Sequence, residues 1–396
     1  MRNPRTIAVT VGALLLLGVG FLFFRGPKPH IEIKAETLFE VGPFPVVNTW
    51  VTSVTVVILL IVVAWYSTRN LALIPRGIQN AVEAVAEALY NICINTAGEK
   101  NGRRFFPVVA TIFTFIWIAN WMALLPFFNA IGSIEEVNPH HFLEEAVVFE
   151  TAGPVGFIMP NQNEVEFHVD EEACAEFDEE IDAAKAAGED TAELKHARDE
   201  CIDHAREDAI VETLHEEEGI TADSYDAAIE ELEADGKKLG VLFPYFRSMN
   251  TDINSPLSIA IMAMIFIEFW GITALGVFKY GGKFLNFSSP INFIVGVLEF
   301  VAEVARLISF TFRLFGNMLA GEILLLVMTF LAPFLVALPF YALETFVGMI
   351  QAFVFAMLTL VFATLAVSAH EGHDELGGHD DPDRPLEGPV PVPAGH

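Results

Sequence analysis

Glu299, Glu303, Arg306, Phe310, Arg313 and Asn317 follow one another at steps of four, three, four, three and four residues, the spacing that holds side chains on one face of an α-helix. The stretch that carries them is otherwise apolar. Ionisable groups at membrane depth are costly unless they face protein or water, so a stripe of them points to the passage of an ion rather than to bond-making chemistry. Glu299, Glu303 and Arg306 lie toward the start of the run, where headgroups are within reach and a long arginine snorkels. Arg313 sits near the middle, and its guanidinium keeps its charge even when desolvated. Glu322 comes nine residues later, about 180° around the helix. Glu344 and Gln351, seven apart, share a face of the next apolar run, with His370 at its end. Ionisable groups therefore flank Arg313 along the axis and around it, as two polar access routes separated by a fixed positive charge would require.

Placing such groups demands membrane helices, and the composition provides them. The chain has 396 residues, 53% of them hydrophobic and 35 of them phenylalanine, yet its formal net charge is −30. These figures do not describe one surface. Residues 131–245 hold 33 acidic and 6 basic side chains, residues 370–396 hold 7 and 1, and the remaining 254 residues hold 12 and 15. An apolar, faintly basic body thus carries two acidic appendages. A basic nucleic-acid surface is excluded, and so is a wholly disordered acidic chain. Three cysteines are too few for a disulfide-dense or Cys-rich zinc module.

A span takes about 20 mostly apolar residues. Runs of that kind cover residues 7–24, 46–66, 105–128, 256–278, 290–333 and 334–369. The first follows Arg2 and Arg5 and is either an uncleaved anchor or a signal peptide; the lack of an Ala-x-Ala-like site favours the anchor. Within residues 71–97, Ile74, Ile78, Val82, Val85, Leu89 and Ile92 recur at helical spacing, which predicts an amphipathic helix, either in the interface or as a soluble-side connector. The run 290–333 would extend roughly 60 Å as one helix, about twice the hydrocarbon thickness. It must tilt steeply, bend or break, and so must 334–369. Two long tilted helices suit a wall against which a curved body lies. Arg69, Arg76, Lys100, Arg103, Arg104, Lys279 and Lys283 outnumber Arg25, Lys28 and Lys34 on the other side, which places those loops and both termini in the cytoplasm and residues 131–245 outside.

The run from Ser309 to Glu322, Ser-Phe-Thr-Phe-Arg-Leu-Phe-Gly-Asn-Met-Leu-Ala-Gly-Glu, resembles the signature of subunit a of the bacterial F-type ATP synthase, the stationary partner of a rotating c-ring. Glu299, Gln351-Ala-Phe-Val-Phe, Asn120 with Leu124-Leu-Pro126, and Asp252-Ile-Asn254 fall where that family has counterparts. The resemblance covers residues 36–130 and 246–370, and its Arg-Leu-Phe-Gly-Asn core is the specific part. It implies that Arg313 faces the ion-carrying carboxylate of each c subunit. A fixed cation lowers the pKa of a nearby carboxylate, so the carboxylate releases its proton on approach and regains one after passing. It implies further that Glu322 and Glu344 line the outer half-channel, that Asn317 and Gln351 orient Arg313, and that Glu299 with Ser309 serves the cytoplasmic route. The implied partners are the c-subunit ring, b-type peripheral stalk subunits, the remaining ATP synthase subunits and the lipid bilayer of a bacterial plasma membrane. ATP chemistry would belong to those partners, since this chain has no Gly-x4-Gly-Lys-Ser/Thr loop; no catalytic site, cofactor or metal is expected in it.

The N-terminal span, the acidic insert and the tail depart from the family pattern. From Asp170 to Asp208 the insert is rich in Ala, Glu, Asp and Lys and is interrupted at Ala187-Gly188, which predicts a helical hairpin; a further helix is expected over Ala222 to Ala234. Cys174 and Cys201 lie 14 and 13 residues from Gly188 on opposite arms, so an oxidising outer compartment would staple them, the alternative being two thiols placed by chance. Cys93 should stay a free thiol. A solvated cap, a cation funnel and a docking surface all remain open as roles for the insert. In the tail, His370, His373 and His379 stand among prolines that argue for a flexible extension rather than a metal site.

The expected fold is all-α and polytopic, with about six membrane helices and a helical insert. Its parts are residues 1–45 (anchor and outer segment), 46–130 (membrane helices with the amphipathic connector), 131–245 (insert), 246–369 (membrane helices carrying the ion path) and 370–396 (tail). A standalone channel or secondary transporter is the competing reading, permitted by the ionisable groups alone but without an evident repeat of two halves. A membrane-anchored structural or sensor protein is the third. The choice between H⁺ and Na⁺ rests largely with the c subunit.

Overall fold

The computed structural model describes residues 35–125, 128–137, 145–150, 155–157, 164–167, 169, 174–187, 191–284, 290–331 and 337–368. The span expected at 7–24, the turn at Gly188 and the tail with its histidines lie outside the described residues. Strand β1 (Thr37–Val41) pairs antiparallel with β2 (Phe44–Val47), and the Asn48 N–H donates back to the Glu36 carbonyl at 3.1 Å, so α1 (Asn48–Thr68) starts where the hairpin ends. Helix α2 (Ile78–Ala123) is two helices joined at Gly98, whose backbone is non-helical. Beyond that turn Gly102 lies so close to the Cys93 carbonyl that a Cβ would not fit, and Tyr90 meets Phe106 edge-on at 5.3 Å. The first part is the amphipathic segment, which starts at Ile78 rather than Leu71. Pro75 and Gly77, the latter at a φ of +61°, stop it from running further back.

The insert is not all helical, which corrects the all-α expectation. Strands β3 (Ile131–Glu136), β4 (Glu145–Glu150), β5 (Val155–Phe157), β6 (Glu164–Glu166) and β7 (Lys237–Pro244) form an antiparallel sheet of order β5-β3-β7-β4-β6. The central pair, β3 with β7, joins segments a hundred residues apart, and such pairing leaves little trace in local composition. The acidic, alanine-rich stretch between them does form helices: α3 (Ala175–Ala187), α4 (Ala192–Glu217) and α5 (Tyr225–Ala234). Ile210, Leu214, Ala228 and Leu232 from α4 and α5 pack on Val148, Val165 and Leu239 of the sheet as one buried core. Cys174 and Cys201 are joined as a disulfide with Cα atoms 6.0 Å apart. The few bases are spent on neighbouring acids, Lys237 on Glu218 and Lys238 on Glu136, both at 2.6 Å.

After a short 3₁₀ turn at Met249–Thr251 come α6 (Asn254–Leu275), α7 (Val277–Phe284), α8 (Pro290–Leu331) and α9 (Leu338–Ser368). Helices α1, α2, α6, α8 and α9 are each long and apolar enough to cross a membrane. Helix α8 is unbroken over 42 residues, roughly 60 Å. Large apolar side chains such as Ile61, Ile265, Leu298 and Phe346 stay exposed on these helices, the surface a bilayer would cover. By contacts the chain divides into two compact units, one within Met1–Trp65, Phe115–Pro256 and Phe312–Ala352, the other within Tyr66–Thr114, Leu257–Thr311 and Phe353–His396.

Candidate ion path

In the first unit α9 approaches α8 where α8 has no side chain. A Cβ on Gly321 would collide with the Glu344 carboxylate, so this glycine is what allows Glu344 to lie against α8. Glu344 is 6% exposed. The next residue on α8, Glu322, accepts a 2.7 Å hydrogen bond from Nδ2 of Asn129 through Oε1. Glu322, Glu344 and Asn129 line one cavity of about 230 Å³ with Ser248, Thr329 and Tyr341. Asn129 Oδ1, Ser248 Oγ, Glu322 Oε2, Thr329 Oγ1 and Glu344 Oε1 are all buried with no hydrogen bond among the described residues. Leu124, Leu125, Leu325 and Leu326 help line the rest of the space, and its size suits water molecules beside the orphan groups, which need them.

The cavity is braced beside these groups. The amide of Asn120, 1% exposed, donates to the Gly348 carbonyl at 3.1 Å and accepts from Nδ2 of Asn250 at 2.6 Å. Trp121 Nε1 donates to the Thr345 carbonyl at 3.0 Å. Two consecutive residues of α2 thus hold the backbone of α9 at the residue after Glu344 and one turn beyond it. At the start of α6, Asp252 accepts from the Thr49 hydroxyl at 3.1 Å and caps Asn254.

Arg313 is exposed on α8 and makes no hydrogen bond or ion pair among the described residues. Ser309, Gly316 and Ala320 are exposed on the same helix. Asn317 is half-buried, and Gln351 is buried with Nε2 unpartnered among the described residues, where neither makes the orienting bond to Arg313 implied for it. In the second unit Glu299 is half-buried and Ser309 lies at the surface. Glu303 pairs with Arg306 at 2.6 Å, and the Arg306 guanidinium stacks over the Phe362 ring at 4.3 Å. That pair neutralises the arginine and leaves Arg313 as the free cation of α8 among the described residues. Phe310 is not part of a polar face: it is buried against Phe355, ring centroids 4.8 Å apart.

Glu322 and Glu344, placed on two separate runs of sequence, therefore meet at one cavity. Asn129 and Ser248 were not legible as site residues. The only local signal for Asn129 is its place just after Pro126, where α2 has ended. Gly321 was visible within the motif but not as the seat of Glu344. Among the described residues no three His, Cys, Asp or Glu side chains converge as metal ligands.

The sequence profile of the family "ATP synthase A chain" matches residues 47–138 and 237–364, leaving out most of the insert. Among curated relatives, the "ATP synthase subunit a" of Campylobacter jejuni (serotype O:23/36, strain 81-176) is 37% identical over 135 residues, 33% of this chain and 58% of its own length. That of Campylobacter concisus is 38% identical over 135 residues and that of Nitratiruptor sp. 36% over 133, with the same coverage. The chain thus spans about 58% of the length of these relatives. With more than half of its residues inside the family profile, the chain belongs to the ATP synthase A chain family.

Proposed function

We infer that this chain is the stationary, non-catalytic subunit of the membrane sector of ATP synthase, giving protons two half-channels to a ring of c subunits. The observation that carries the reading is the division of labour on α8. Arg313 stands exposed and unpartnered among the described residues, while Glu322, nine residues further on, opens with Glu344 into the cavity they share with Asn129. A cation with no partner among the described residues suits a carboxylate supplied from outside, and the exposed Ser309, Gly316 and Ala320 around it leave room for another helix to come close. As a c-subunit carboxylate passes, Arg313 favours its ionised form and bars direct transfer between the two routes. The Glu322 and Glu344 cavity is the outer route, with water completing the path between orphan oxygens. Glu299 with Ser309 serves the inner route.

The chain lies in a bacterial plasma membrane, with the loops that hold Arg69 to Arg104 and Lys279 to Lys283 in the cytoplasm and the insert outside. Its partners are the c-ring, b-type peripheral stalk subunits and the remaining ATP synthase subunits. The insert is a folded acidic cap on the outer side, stapled between Cys174 and Cys201. Purification of the tagged chain from its own membranes in mild detergent tests the assignment. A ring of small two-helix subunits and ATPase activity should come with it; a chain that purifies alone and still conducts protons would identify a standalone channel instead.

A further inference from the structure

Asn129 is the one non-glycine residue of the described chain with a positive φ, 57°, a conformation asparagine tolerates better than most side chains. It is gripped on both sides. Its N–H donates to the Phe246 carbonyl at 3.0 Å, the Tyr245 N–H donates to the Ile131 carbonyl at 3.0 Å, and the β3–β7 pairs run on from Gly132 with Pro244 to Glu136 with Gly240. Strand contact is close enough that a Cβ on Gly132 would run into the Phe243 carbonyl, and the Phe128 ring lies on that of Phe246 at 5.7 Å. From this mount Asn129 Nδ2 reaches Glu322 Oε1 at 2.7 Å. With the amide nitrogen turned to the carboxylate oxygen that accepts it, Asn129 Oδ1 and Glu322 Oε2 are left buried without a hydrogen bond among the described residues.

We propose that Asn129 is a positioning residue for the Glu322 carboxylate, and that the β3–β7 ladder at the root of the acidic insert holds it in place. This rests on the reading of Glu322 as part of the ion path. The amide occupies one carboxylate oxygen, fixes the side-chain rotamer and points the other oxygen into the cavity, where Glu344 and Tyr341 are the other titratable lining groups. The ladder that grips Asn129 is the central pair of the insert's own sheet, so the folded insert is mechanically continuous with a first contact of the ion path.

The test is ATP synthesis by the intact complex in sealed vesicles, measured against outer pH. Asn129→Gly keeps the left-handed backbone and deletes the donor, and Asn129→Asp keeps the backbone and sets an acceptor against an acceptor. Both should assemble normally, lose about three-fold or more in rate and displace the half-maximal outer pH by about one unit, the worth of one hydrogen bond to a charged group. Neither should lower the rate further in a Glu322→Gln background. Gly132→Ala should reproduce the Asn129→Gly profile and not add to it. Wild-type rate and pH profile in Asn129→Gly would overturn the proposal by showing that the residue serves the backbone alone. Additive losses with Glu322→Gln would overturn it as well, and additive losses between Gly132→Ala and Asn129→Gly would remove the ladder's part. A silent Glu322→Gln would overturn the ion-path reading itself, and the proposal with it.

Discussion

Substituting alanine for Gly321 separates the stability of this fold from its function, because the two should move in opposite directions. In the middle of α8 an alanine favours helix over glycine by about 1 kcal/mol, so the subunit should be no less stable. The new Cβ would nevertheless sit where the Glu344 carboxylate now lies, about 1 Å inside ordinary van der Waals contact. The colliding atoms are the end of a flexible side chain, so Glu344 swings away and the helices stay packed. A displacement of about 1 Å in a positioned group can cost roughly 100-fold in rate, and a loss of about 10- to 100-fold in proton-driven ATP synthesis is expected from membranes that contain normal amounts of assembled complex. Gly281→Ala is the control, since a Cβ there meets nothing within 4 Å. Wild-type synthesis by Gly321→Ala, or loss of the subunit from the membrane, would refute the view that this glycine is the seat of a working carboxylate.

Three further expectations concern the parts that hold the path in place. Replacing Asn120 by leucine strands the Asn250 amide and the Gly348 carbonyl, at about 2 kcal/mol; the complex should release its subunits at lower temperature, and unchanged thermal stability would show that this brace carries nothing. Reduction of the Cys174–Cys201 bond, which spans 27 residues, should lower the insert's resistance to urea by about 3 kcal/mol, while non-reducing peptide mapping should recover the two cysteines linked and Cys93 free. Burial above all, with Glu136, Asp226 and Glu207 adding, raises the Tyr225 pKa above its ordinary 10.0. The folded insert then keeps a proton that the unfolded chain has lost, so stability is full below pH about 10 and falls as pH climbs toward the raised value. Tyr225→Phe should flatten that alkaline decline in insert unfolding, and an unaltered decline would reject the assignment.

Hydropathy alone placed the membrane body well. The runs at 46–66 and 290–333 correspond to Asn48–Thr68 and Pro290–Leu331, because a bilayer demands a long apolar run of every span whatever its tilt. Helical spacing set Glu322 apart from Arg313, but it could not reveal that Glu322 and Glu344 face one cavity. That meeting depends on Gly321 letting α9 close on α8. The sheet of the insert was illegible for a related reason: Ile131–Glu136 finds its partner in Lys237–Pro244, across a stretch whose composition speaks only for helix. Asn129 was missed because its importance comes from that same distant pairing and from a backbone conformation that no local pattern announces. Arg306 illustrates the opposite limit. Its place early in the run suggests snorkelling to the headgroups, and the structure instead gives Arg306 both Glu303 and the Phe362 ring.

At the centre stands Arg313, without a partner among the described residues, which we infer separates two proton routes and meets a carboxylate brought to it. Its most direct test is the rate of ATP synthesis driven by an imposed proton gradient in vesicles bearing Arg313→Ala, with the amount of assembled complex measured in the same membranes. Full assembly with synthesis at background level is expected. Synthesis near the wild-type rate from that variant would contradict it.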